Sequence, residues 1–266
     1  MTKYDKLYDE IYAVLAINTA YPTSLDKITK GEHPDWQDEY NDVGIEVVRA
    51  MNPHMGYVRN IWNQYHGQDI KAIPLKNRKG FRGEFYTHKG KLSGISDSKG
   101  LVDGTNHIKL AIEATCKKLA LLNSPHFKVF QCNELFVFVP FTINDSDLLL
   151  YCEQYQEIAT GFSNRFFHLY LFDNGCLYRV SESNLSVERF EYSHEQTSLM
   201  KQVSISLKRI RNILVRIKIR TNKSAKCGLP QNLASKPLDK MIIKLKSKIK
   251  NYLMFLLFLR NLHRNK

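Results

Sequence analysis

Apolar residues recur at helical spacing over residues 4–18, where Leu7, Ile11, Val14 and Leu15 fall on one face, and they predict a leading helix packed on a body. Pro22 and the loop around Gly31 end it. An extended piece over 34–40 leads through the turn residues Asn41 and Asp42 into Val43-Gly44-Ile45-Glu46-Val47-Val48. That run is apolar and β-rich, as in a strand buried on both faces. From about Ile61 to Val102 the periodicity breaks, and Lys76, Arg78, Lys79, Arg82, Lys89 and Lys91 mix with Phe81, Phe85 and Tyr86. Hairpins or long loops are expected there. Helical spacing returns over 106–123 with Ile108, Ile112, Cys116 and Leu119, and Thr105 or Asn106 can cap that helix. Strands are expected over 126–129 and 135–141, a helix over 147–158, and a hairpin over 167–180 turning at Asn174-Gly175.

Strands alternating with helices predict an α/β fold with a sheet flanked by helices. Beyond Ser198, Met200, Val203, Leu207, Ile210, Leu214 and Ile217 form an apolar seam at alternating steps of three and four. Lys208, Arg209, Arg211, Arg216 and Lys218 decorate it. Gly228 and Pro230 break this helix, and a second basic helix is expected over 238–260. Its apolar end, 252–259, is far below the roughly 20 residues needed to cross a bilayer. The chain thus divides into an α/β domain over 1–195 and a basic helical extension over 196–266.

Charge sharpens that division. Residues from Lys201 onward hold 12 lysines and 6 arginines against the single acid Asp239, a net +17; the first 200 residues carry 21 basic and 25 acidic groups, a net −4. Such a block suits a polyanion. Nucleic acid, DNA or RNA, is the first expectation. An anionic membrane surface is the second, because the lysines of 240–250 precede an apolar anchor. The Met200–Ile217 seam could also dock on the body or form a homodimer. The N-terminus has acids where an export signal needs an apolar run, and the five cysteines are scattered and odd in number. Both point to a cytoplasmic setting with reduced thiols.

The chemistry concentrates in Pro34-Asp35 and Gly44-Ile45-Glu46. A glutamate inside an apolar strand is costly to bury without compensation, and a divalent cation shared with a second carboxylate is one form of it. Asp35 precedes a turn and Glu46 follows it, so two antiparallel strands can bring both to one edge. Hard oxygen ligands suit Mg²⁺ or Mn²⁺, which activate water and neutralise phosphate charge.

This pattern resembles the PD-(D/E)XK, or restriction-endonuclease-like, phosphodiesterase superfamily over roughly the first 140 residues. The likeness rests on the Pro-Asp, the spacer and the Gly-Ile-Glu strand, inside the order helix, hairpin, long helix, strand. It implies a mixed sheet flanked by helices, a nuclease activity, and Asp35 and Glu46 as ligands of Mg²⁺ or Mn²⁺. The family lysine two residues after the glutamate is Val48 here. The resemblance then implies either a lysine supplied by a neighbouring element, Lys117 first and Lys109 second, or a site that binds nucleic acid without cutting it. Glu10 and His33 are weaker candidates, read as an exposed helical acid and a loop residue. Arg49 is assigned a structural role on the opposite strand face. Asp38 and Asp42 are assigned to turns.

Overall fold

A computed structural model describes residues 3–22, 28–51, 53–79, 84–96, 107–173, 175–183 and 185–208. The leading helix α1 (Lys3–Ala20) is followed by the short strands β1 (Thr29–Lys30) and β2 (Trp36–Asp38) and by the longer β3 (Val43–Arg49). Next come α2 (Pro53–Tyr65), α3 (Leu75–Lys79) and the hairpin β4 (Glu84–His88) and β5 (Lys91–Ser96). Then α4 (His107–Leu122), β6 (Cys132–Phe138), α5 (Asp145–Ala159), β7 (His168–Asp173), β8 (Cys176–Ser181) and β9 (Val187–Glu191) complete the body. Residues 194–208 form a further helix.

Among the described residues the main sheet runs β1-β2-β3-β6-β7-β8-β9. The three central strands β3, β6 and β7 are parallel, and antiparallel hairpins flank them on both sides. The fold is therefore a mixed sheet between helices. Period-two alternation sorts the side chains. Leu135, Val137, Leu169, Leu171 and Val180 face α4 and α5. Ile45, Val47, Phe136, Phe138, Tyr170 and Phe172 face α1 and the 194–208 helix. Each fully buried Leu or Phe side chain contributes roughly 1.5–3 kcal/mol, so these two layers fix where β3 lies.

Local chemistry sets the boundaries. Asn144 caps α5, its side chain accepting from the Asp147 N–H while the Asp147 carboxylate accepts from the Asn144 N–H. The Ser193 hydroxyl accepts from the Gln196 N–H, and the Gln196 side chain accepts in return from the Ser193 N–H. This second capping box starts the 194–208 helix, whose Met200 and Val203 are buried. The 195/196 division thus falls inside a helix whose early turns belong to the body. The seam beyond residue 208, the second basic helix and Cys227 lie outside the described residues. Cys116, Cys132, Cys152 and Cys176 are free, and no helix among the described residues is long and apolar enough to cross a membrane.

The structure departs from the sequence pattern in two places. Residues 126–129 form no strand: the Phe127 N–H donates to the Ser124 carbonyl in a turn that sends the Phe127 ring into the core. Residues 53–65 form α2, where the pattern predicts no helix. In the basic stretch the expected hairpin is present as β4–β5, and the described residues there form a small separate layer in which Ile61, Ile73 and Leu92 are buried, with Tyr57, Trp62, Phe85 and Ile95 packed on them.

A candidate carboxylate–lysine site on the open edge of β3

The β2–β3 ladder pairs Asp38 with Val43, Gln37 with Gly44 and Trp36 with Ile45. The next step of that register sets Asp35 opposite Glu46. There the strands part, and side chains replace the ladder. The Asp35 N–H donates to Glu46 Oε2 at 3.1 Å, and Asp35 Oδ2 accepts from the Val47 N–H at 3.0 Å. The approach is close because Gly44 has no side chain: a Cβ there would stand 2.7 Å from both Pro34 Cγ and the Phe130 ring.

Glu46 points toward α4, on the same strand face as the partly buried Val48. Its Oε1 meets the ammonium of Lys118, on α4, at 2.5 Å. Lys109 and Lys117 are exposed and form no ion pair among the described residues. The cation at this glutamate is therefore Lys118, in place of the expected Lys117 or Lys109. The helical phase explains it: Ile108, Ala111, Thr115, Lys118 and Leu122 follow steps of three and four along the face turned to the sheet.

Two more lysines close the other side. Lys6 Nζ, from α1, lies 2.8 Å from Asp35 Oδ1 and 3.7 Å from Glu10 Oε1. Lys30 Nζ lies 3.4 Å from Asp35 Oδ1 and 3.3 Å from Glu10 Oε2, and donates to the carbonyls of Gly31 and Asp35. Glu10 is 3 % exposed, where the sequence suggests an exposed helical acid, and the Trp36 indole N–H holds its carbonyl. Three buried carboxylates thus meet three ammonium groups, and the charges balance.

Burial pushes the Glu46 carboxyl above the ordinary range, Lys118 pulling it back and Asp35 adding to the rise. Glu10 is raised by burial and by Asp35, against Lys30 and Lys6. Burial also acts on Asp35, but Lys6, Lys30 and the Val47 N–H more than reverse it and hold its carboxyl low. On acidification Asp35 is the last of the three to take a proton.

Neighbouring polar residues have structural partners. Asp9 is buried and binds Arg49 through two hydrogen bonds and Arg59 at 3.5 Å, tying α1 to β3 and α2. Asp38 accepts from the Tyr40 and Asn41 N–H groups in a turn, and Asp42 takes a positive φ at its end. The His33 ring stacks beside Phe127 rather than on the carboxylates.

Among the described residues no group of three or more His, Cys, Asp or Glu side chains stands ready as a metal cage. Ammonium groups hold those oxygens instead. In kind, carboxylate oxygens suit a hard divalent cation, and Asp35 and Glu46 come together where β2 and β3 part. No family model, curated protein or solved structure matches the chain.

Proposed function

We propose that this chain is a metal-dependent phosphodiesterase of nucleic acid on a restriction-endonuclease-like scaffold, with Asp35 and Glu46 as metal ligands and Glu10 beside them. The contact between Lys118 and Glu46 carries the reading, because it supplies from α4 the lysine that Val48 denies to β3. Mg²⁺ or Mn²⁺, when bound, supplies Lewis acidity and a water of lowered pKa. The chain's own residues do the rest. Asp35 and Glu46 offer oxygens from opposed strands. Lys6 and Lys30 keep solvent access, at 38 % and 25 % side-chain exposure, and can withdraw from Asp35. Exchange of two ammonium groups for one divalent ion leaves the charge of the site balanced. Lys118 stays at the strand face to orient a water and to offset charge on the phosphate.

Manganese titration by calorimetry tests the ligand assignment. The wild-type chain is expected to bind Mn²⁺ with heat that disappears in Asp35→Ala, while circular dichroism of the variant stays native. Equal binding by a folded Asp35→Ala protein would remove Asp35 from the site.

One observation favours a second reading, a nucleic-acid-binding protein that does not cut. Both oxygens of Asp35 and both of Glu46 already have a donor. In that case lysines permanently replace the cation, and nucleic acid binds equally well in EDTA.

A further inference from the structure

The β4–β5 hairpin lies outside the main sheet and serves neither its core nor the carboxylates. One face packs Phe85, Leu92 and Ile95 onto α2. The other presents Glu84, Tyr86, His88, Lys91 and Ser93, all exposed. Tyr86 pairs with Gly94, and a Cβ on Gly94 would come within 3.3 Å of the Tyr86 side chain, so the ring lies across the glycine. It is 52 % exposed.

The tip is unusual for its residue type. His88 pairs with Lys91, leaving Lys89-Gly90 as a two-residue turn with φ of 51° and 75°. Positive φ at both positions is the turn that matches strand twist, and Asn-Gly is its favoured sequence. A lysine in the left-handed region costs about 1–2 kcal/mol, and here that cost places a cation at the outermost point of the ribbon. Residues 67–71 run beside the tip: the Leu92 N–H donates to the Gln68 carbonyl, the Ile70 N–H donates to the Gly90 carbonyl, and Asp69 bridges to Lys91. Lys71 therefore joins Lys89 and Lys91 at one end of the ribbon. All three are exposed and form no ion pair among the described residues. Nearby, the Asp69 carboxylate is taken by the Lys71 N–H and Glu84 by the Tyr86 hydroxyl.

From this geometry we infer that the β4–β5 ribbon enters the major groove of duplex DNA, with Lys71, Lys89 and Lys91 on flanking phosphates and Tyr86 and His88 turned to the base edges. The inference rests on the nucleic-acid reading above and names its substrate as B-form duplex. That groove, about 12 Å wide, admits a two-stranded ribbon, whereas the deep, narrow major groove of A-form RNA does not. The three lysines outnumber the neighbouring acids Asp69 and Glu84 and favour a polyanion, and the ribbon's shape selects the groove. The ribbon is also anchored toward the site: it packs on α2, and Arg59 of α2 reaches Asp9, the neighbour of Glu10.

The test is fluorescence anisotropy of the full chain on short labelled DNA and RNA duplexes across a salt series in EDTA. Wild type is compared with the double variant Lys89→Asn, Lys91→Gln. Asparagine tolerates the left-handed turn, so the double variant is expected to melt at or above the wild-type temperature. On DNA its affinity is expected to fall about tenfold, and the slope of log K against log salt to shrink by about two, one for each phosphate that is no longer neutralised. The basic tail is common to every protein compared, so it cancels. An unchanged slope and affinity on DNA overturns the inference, as does an equal loss on A-form RNA. If the ribbon variant loses DNA binding while wild type fails to cleave with Mg²⁺, the phosphodiesterase reading fails and the ribbon assignment stands.

Discussion

Lys118 and Glu46 form the pair on which the site depends. Glu46 is fully buried, and removing its partner leaves a charge without compensation, which costs about 3 kcal/mol. Lys118→Met is therefore expected to be destabilised at neutral pH. The sign with pH follows from the raised carboxyl. Without Lys118 that carboxyl rises further, and a group whose folded pKa lies above its unfolded value favours the fold on the acid side. The deficit of Lys118→Met against wild type should thus shrink as pH falls through the Glu46 range, measured by denaturant melts at several pH values. A deficit independent of pH would place the loss in packing rather than in the ion pair. The Asp35–Glu46 pairing was legible in the sequence because Asp35 stands just before a turn and Glu46, an acid in an apolar strand after it, is costly to bury uncompensated. Lys118 was missed: it stands on the step series of Ile108, Ala111, Thr115 and Leu122, but a stripe through Ile112 and Cys116 rotates the helix and favours Lys117. Glu10 was hidden because Asp9, Glu10, Ile11, Tyr12 and Ala13 are all buried, a burial set by neighbours distant in sequence.

At the scale of elements, β3 and the chain before β2 must approach closely at Gly44. Gly44→Ala drives a methyl into Pro34 and Phe130, and overpacking of this kind costs about 1–3 kcal/mol. It should also displace Asp35 from Val47, so the expected outcome is a lowered melting temperature together with weakened Mn²⁺ binding. A stability loss with metal affinity intact would uncouple the glycine from the site. The β7–β8 hairpin was readable from its Asn-Gly turn, and β3 and α4 from their periodicities. The helix α2 was not, although Tyr57, Ile61 and Tyr65 share one helical face, because polar residues and Gly56 dilute the stripe. The 126–129 run misleads through composition alone; it is a turn whose aromatic residue fills the core.

For the whole molecule, the proposed function gives different tasks to its oppositely charged parts. The first 200 residues are net −4, and those after them net +17. An acidic body is poorly suited to hold a polyanion unaided, so the tail is expected to supply much of the affinity and the ribbon and carboxylates the position. A chain ending at Lys208 should bind DNA more weakly and with a shallower salt slope, yet retain Mg²⁺-dependent cleavage at saturating DNA. Unchanged affinity would assign the tail to another partner, such as an anionic membrane or a second copy. The helix–strand alternation that predicted an α/β body was visible from sequence. The strand order was not, because the pairing of β3 with β6 joins residues far apart along the chain and leaves no local signal.

The proposed activity is hydrolysis of phosphodiesters by Asp35, Glu46 and Lys118 together with a divalent metal. Its most direct measurement is cleavage of plasmid, linear duplex and single-stranded DNA by the wild-type chain and by Glu46→Ala, each with Mg²⁺, Mn²⁺ or EDTA. The expected result is cleavage by wild type with metal, none in EDTA, and none by a folded Glu46→Ala protein. Cleavage by Glu46→Ala at the wild-type rate, or no cleavage by a wild-type protein that binds the same DNA, would contradict it.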